Sequence, residues 1–240
     1  MLRAEPEENA LYGGMAFFGG SFDPPHQGHL AIARAAQTAF ALDTVLFAPV
    51  GAQPLKPEGP TASFDDRVAM TRLAIAGEPG FEVSLADAPK PDGKPNYTFE
   101  TLIALRAALK ENNPLYCLMG ADSFAALPRW HRAAEIPFAA DLIVASRPGE
   151  AILDRPLALP PGLSVAGAPN EEQRIAGVEV RSFTVVNQVG ARATIYVLPG
   201  LHVDISASEI RREWPQPAGM HEAMLPEAVR QYIEQHGLYR

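Results

Sequence analysis

Cysteine is nearly absent: Cys117 is the only one in 240 residues. A single thiol excludes an internal disulfide framework and a thiolate zinc cluster. It sits in the apolar run Leu115-Tyr116-Cys117-Leu118-Met119 and reads as a small buried hydrophobe, not a nucleophile. Positive charge is scarce too, with 20 Lys and Arg against 28 Asp and Glu, a formal charge of −8. That deficit repels a nucleic-acid backbone, whereas a small phosphorylated metabolite needs only a few cations. No run is long and apolar enough to span a bilayer. The acidic stretch Met1–Asn9 lacks the apolar segment of a secretion signal. A cytoplasmic protein with no nucleic-acid or membrane partner is expected; subunit number is left open, a homo-oligomer included.

What is present suits a globular enzyme. Apolar residues at 47% can fill a core, and 240 residues fit one domain with an insertion. Short apolar runs predict strands at 15–18, 44–49, 81–84, 115–120, 141–146 and 193–198. Helical patterns fall at 28–40, 64–77, 98–110, 123–127, 132–136, 207–214 and 226–236. Alternation of near-continuously apolar strands with helices predicts an α/β fold: a Rossmann-like, doubly wound, mostly parallel sheet with helices on both faces. Ligands of such sheets bind beyond the carboxyl ends of the strands. Residues 1–14 read as a flexible extension, 15–240 as a single domain, and about 148–192 as an insertion in which Val178–Val189 alternates like a strand or hairpin.

The most informative segment is Gly19-Gly20-Ser21-Phe22-Asp23-Pro24-Pro25-His26-Gln27-Gly28-His29, directly after the first apolar run. Glycines let a backbone approach a ligand closely. The following helix start offers unpaired amides and a positive dipole end. His26 and His29, three apart on one helix face, add imidazole donors for a polyphosphate. Two histidines without a further nearby ligand make a poor tetrahedral zinc set. A second anion site is predicted at Ile205-Ser206-Ala207-Ser208-Glu209-Ile210-Arg211, where Ser206 and Glu209 form a capping-box pattern and Ser208 and Arg211 share a face. Gly120-Ala121-Asp122 follows a strand, with Trp130 eight residues past Asp122. Helix cap and core aromatic are the plain readings; ribose binding and stacking on a flat heterocycle are the functional ones. Lys56, Arg67 and Arg147 are each most simply solvated surface charges.

Gly-Gly-x-Phe-Asp-Pro-x-His-x-Gly-His followed by Ile-Ser-x-Ser-x-Ile-Arg resembles the HxGH adenylyltransferases of the nucleotidyltransferase superfamily. Tyr97-Thr98-Phe99-Glu100-Thr101-Leu102, Trp130, Arg147-Pro148-Gly149 and the ending Leu225–Ile233 narrow the resemblance to the bacterial nicotinate-nucleotide adenylyltransferases. It covers about residues 15–150 and 193–239. Ser208 stands where threonine is common, which keeps the hydroxyl.

The resemblance implies transfer of the adenylyl group of ATP to nicotinate mononucleotide, giving deamido-NAD and pyrophosphate, with Mg²⁺ arriving on ATP. It implies that His26, His29, Ser208 and Arg211 hold the triphosphate. The backbone at Gly19, Gly20, Ser21 and Phe22 would line the channel, Asp122 would meet ribose, and Ile205 and Ser206 would face adenine. Lys56, Thr98, Trp130, His131 and Arg147 would serve the mononucleotide. Alternatives are a sister enzyme using nicotinamide mononucleotide or another phosphorylated acceptor, a cytidylyltransferase using CTP, and a non-catalytic nucleotide-binding sensor.

Overall fold

The computed structural model describes residues 13–55, 59–110, 112–146, 159–167, 173–201, 205–214 and 224–240. Six parallel strands form its centre: β1 (Met15–Gly20), β2 (Thr44–Pro49), β3 (Phe81–Val83), β4 (Leu115–Gly120), β5 (Asp141–Ala145) and β9 (Arg192–Leu198). Three more, β6 (Leu163–Val165), β7 (Gln173–Ile175) and β8 (Val178–Asn187), are antiparallel to their neighbours. The order is β3-β2-β1-β4-β5-β9-β8-β6, with β7 on β8. The chain winds outward from β1 in one direction through β2 and β3, then returns to place β4 on its other side. That reversal opens a crevice at the carboxyl ends of β1 and β4.

Side chains alternate across the sheet, so each strand feeds two cores. On one face Phe18, Phe47, Leu118 and Ile143 pack with Leu30, Ala33 and Ala36 of α1 (Gln27–Phe40), Met70 of α2 (Phe64–Ala74) and Val229 and Ile233 of α7 (Glu227–His236). On the other, Phe17, Cys117, Met119, Leu142 and Val144 pack with Leu102 of α3 (Thr98–Ala108), Phe124 of α4 (Ala121–Ala126) and Ile136 of α5 (Ile136–Ala139). Helices on both faces explain why β4 and β5 carry almost no polar residue.

Boundary chemistry accounts for most helix ends. Ser63 caps α2, its Oγ accepting from the Asp66 amide at 3.1 Å. Gly237 ends α7 at φ 63°, the left-handed stop that glycine adopts most readily. Two expectations are corrected. The 132–136 helix resolves into a 3₁₀ turn at Ala133–Glu135 followed by α5, after Arg132 turns left-handed at φ 53°. Pro226 is the cap of α7, not its first helical residue. The alternating 178–189 stretch is the expected strand and hairpin: β8 joins β7 through left-handed Ala176 and Gly177 and extends the main sheet beyond β9. Residues 1–12 of the expected extension, and 147–158 and 168–172 around the expected insertion, lie outside the described residues.

Candidate active site

A cavity of about 840 Å³ occupies the crevice between β1 and β4. Its wall contains Gly19 and Gly20 from the end of β1, Ser21 and Phe22 from the loop that follows, His26 and His29 from the start of α1, and Ile205, Ser206, Ser208 and Arg211 from α6 (Ala207–Glu213) and the residues leading into it. Asp122, Trp130, His131 and Thr98 line it as well. Fourteen of the sixteen residues to which the resemblance gives a role therefore share one space; the other two, Lys56 and Arg147, lie outside the described residues.

The first loop is built on aromatic packing. A Cβ on Gly19 would lie 2.9 Å from the Phe17 ring, and one on Gly20 would lie 3.1 Å from the Phe22 ring. Absent side chains thus make room for two phenylalanines. The left-handed residue is Phe22 itself, at φ 48°. Its ring meets Phe18 edge-on at 5.6 Å and His29 at 4.9 Å. Gly120, at the end of β4, has no atom within 4 Å of a Cβ position and leaves the cavity wall bare.

His26 caps α1, and its backbone amide donates to His29 Nδ1 at 3.2 Å. An imidazole nitrogen that accepts a hydrogen bond carries no proton, so the His29 proton resides on Nε2. The two rings lie 3.8 Å apart. Burial first, and then the neighbouring His26 charge, hold the His29 pKa well below its usual value. At neutral pH His29 is an uncharged donor.

Arg211 arrives from the far end of the sequence. Its Nη1 donates to the Asp23 carbonyl at 2.5 Å and its Nη2 to Ser208 Oγ at 3.3 Å. The capping box expected at Ser206 and Glu209 does not form: Ser206 makes no side-chain cap bond, and it lines the cavity. Asp122 lies inside the first turn of α4 and is exposed; Gly120 is the cap. Trp130 is half-buried against the second core. Beside it the rings of Tyr97 and His131 lie 4.3 Å apart.

Several residues here were unassigned or misread in the sequence. Arg67 is no surface charge: it is 1% exposed and its Nη1 donates to the Ser21 carbonyl at 2.7 Å. Asp23 is 2% exposed and accepts from the amides of Thr61 and Ala62 and from the Tyr239 hydroxyl. Asn96 exchanges backbone and side-chain bonds with Ala52 and donates to the Ala88 carbonyl, tying three loops together. Asp87 lines the cavity with its carboxyl bonded by Thr101; burial pushes its pKa up. Cys117 also lines the cavity, but burial pushes its thiol up to about 12, which removes it as a nucleophile near neutral pH. Among the described residues no three His, Cys, Asp or Glu side chains are grouped to hold a metal ion. No helix among them is long and apolar enough to cross a membrane.

The cytidylyltransferase-like family model matches residues 17–213. A probable nicotinate-nucleotide adenylyltransferase of Gloeobacter violaceus is 37% identical over 228 residues, covering 94% of this chain and 95% of its own. One from Roseiflexus sp. is 38% identical over 226 residues, covering 94% and 98%. Plasmodium falciparum nicotinic acid mononucleotide adenylyltransferase complexed with NaAD superposes with a TM-score of 0.64 at 14% identity, covering 95% of this chain and 97% of that one. The same protein complexed with APC gives 0.63. At that identity the likeness is one of fold.

Proposed function

We propose that this chain, which belongs to the cytidylyltransferase-like family and within it to the nicotinate-nucleotide adenylyltransferases, transfers the adenylyl group of ATP to nicotinate mononucleotide. The products are deamido-NAD and pyrophosphate. One observation carries the reading: two positions 188 apart in sequence, Asp23 and Arg211, are hydrogen-bonded, so the loop bearing both histidines and the start of α6 face one cavity.

The reaction asks little acid–base chemistry of the protein. A phosphate monoester loses its second proton near pH ~6, so the acceptor oxygen is already anionic at neutral pH. It attacks the α-phosphorus in line; the new O–P bond forms as the bond to the β-phosphate oxygen breaks, and pyrophosphate leaves with the electron pair. The protein's task is to bring two anions together and stabilise charge on the leaving group. His26, His29, Ser208 and Arg211 do this at the triphosphate, with backbone from Gly19 to Phe22 alongside. Asp122 takes ribose, and Ile205 and Ser206 face adenine.

The donor set suits Mg²⁺ as a passenger on ATP. The oxygens of Asp23 are filled by protein donors and Asp87 is bonded by Thr101, so the triphosphate oxygens would hold the ion. Bound there, it would neutralise charge on the polyphosphate.

Nicotinate differs from nicotinamide in accepting but never donating at its substituent. The Thr98 hydroxyl and the His131 amide are the donors that select it, with Trp130 stacked on the ring. Lys56 serves the mononucleotide phosphate, and Arg147 the mononucleotide.

Pyrophosphate release measured with ATP or CTP, against nicotinate and nicotinamide mononucleotides, tests the assignment. Release with ATP and nicotinate mononucleotide is expected to exceed every other pairing. Faster release with CTP or with the amide would replace the assignment, and no release with any pairing would leave a nucleotide-binding sensor.

A further inference from the structure

We infer that Tyr239 is a positioning residue for the triphosphate: its hydroxyl helps satisfy the Asp23 carboxylate, so that Arg211, ion-paired with it at 3.6 Å, does not close onto it and keeps donors for phosphate. The inference rests on the proposed adenylyl transfer and adds a residue, outside the quoted motifs, that acts through Arg211.

The path begins where α7 stops. Gly237 turns left-handed, the Leu238 amide closes on the Ile233 carbonyl at 3.1 Å, and Leu238 and Tyr239 pack against the first core. Tyr239 is itself left-handed at φ 62°, an unfavourable conformation for a residue with a Cβ. That geometry accompanies a bond spanning 216 positions: the Tyr239 hydroxyl donates to Asp23 Oδ1 at 2.7 Å.

Asp23 Oδ1 also accepts the Ala62 amide at 3.0 Å, and Oδ2 accepts the Thr61 amide at 2.7 Å. Three protein donors therefore satisfy a carboxylate that is almost wholly buried. Arg211 Nη1 lies 3.6 Å from Oδ2, beyond hydrogen-bond distance, and bonds the Asp23 main-chain carbonyl instead. A guanidinium beside an unsatisfied carboxylate closes into a two-pronged pair. Here it does not. Its two protein bonds, to that carbonyl and to Ser208, leave three of its five N–H donors for a ligand. Burial and the Asp23 charge raise the Tyr239 pKa, so the phenol stays a donor across the working pH range. Buried Arg67 is electrostatically linked to both Asp23 and Tyr239.

Tyr239→Phe removes one oxygen and keeps the ring packing. Asp23 Oδ1 then keeps only the Ala62 amide, and Arg211, 3.6 Å from Oδ2, can close onto the less satisfied carboxylate. The expected result is about a tenfold rise in the ATP dissociation constant, the scale of one hydrogen bond to a charged group. The mononucleotide KM should stay within about twofold, since that site is reached through other loops. ATP binding is measured by calorimetry without acceptor, so it reads the latch even if the acceptor assignment fails; wild-type pyrophosphate release checks that assignment separately. The decisive arm is a double-mutant cycle. In an Arg211→Ala background the Tyr239→Phe penalty should vanish. A penalty of equal size in both backgrounds, or none in the wild-type background, overturns the inference. So does a matching rise in both substrate constants with a large fall in Tm, which would mark Tyr239 as a general structural support.

Discussion

Replacing His29 by Ala tests the centre of the mechanism. The wild-type ring presents an Nε2 proton, because Nδ1 is occupied by the His26 amide, and it is uncharged because its pKa is depressed. Its contribution to phosphate transfer is therefore one oriented donor in an enclosed site, not a full positive charge. One such donor, aimed where charge develops in the transition state, is worth about 10²–10³ in kcat, or ~2.7–4 kcal/mol. Alanine also frees the His26 amide and removes the edge contact with Phe22, so the first loop loses a buttress. Some rise in the ATP KM should accompany the loss of turnover; the mononucleotide KM should move little. Steady-state pyrophosphate release, varied in each substrate at neutral pH, separates the three numbers. A kcat loss smaller than about fivefold, or a mononucleotide KM that rises by the same factor as kcat falls, would show that His29 is structural and refute the donor assignment.

Three further outcomes follow from the same geometry. Arg67→Met keeps the buried volume but strips the Ser21 carbonyl of a charged donor; offset by the relief of burying no charge, the cost is about 2 kcal/mol, a Tm lower by roughly 4–8 °C by calorimetry, and an unchanged Tm would contradict its role as a loop anchor. Trp130→Ala should chiefly raise the mononucleotide KM, and an unchanged value would remove the indole from that pocket. Because the folded protein lowers the His29 pKa, the unfolded chain takes up this proton first on acidification; stability present above the unfolded value of 6.5 should be lost as pH falls through it and toward the folded value. Denaturant titrations of wild type and His29→Gln should differ in that acid slope, and parallel profiles would show that His29 is not buried in its neutral form.

Much of this architecture is readable from local pattern. The strands Thr44–Pro49 and Leu115–Gly120 begin and end where their apolar runs do, because a strand covered by helices on both faces has no place for a polar residue. The glycine–histidine loop is equally plain, since close packing and a helix start each impose a residue type at a set spacing. Long-range partners carry no such local mark. Asp23 looks like a turn residue, Arg67 like a surface cation and Tyr239 like a trailing aromatic. Arg67 meets Ser21 across 46 positions, Arg211 meets Asp23 across 188, and Tyr239 meets Asp23 across 216. Those meetings depend on strand order, which brings β1 between β2 and β4 and carries α6 and α7 back over it. Residue type and spacing thus specify which groups can bind a nucleotide; the winding of the sheet selects which of them share a cavity and which buried partners hold them there, because a hydrogen bond depends on distance in space and not along the chain.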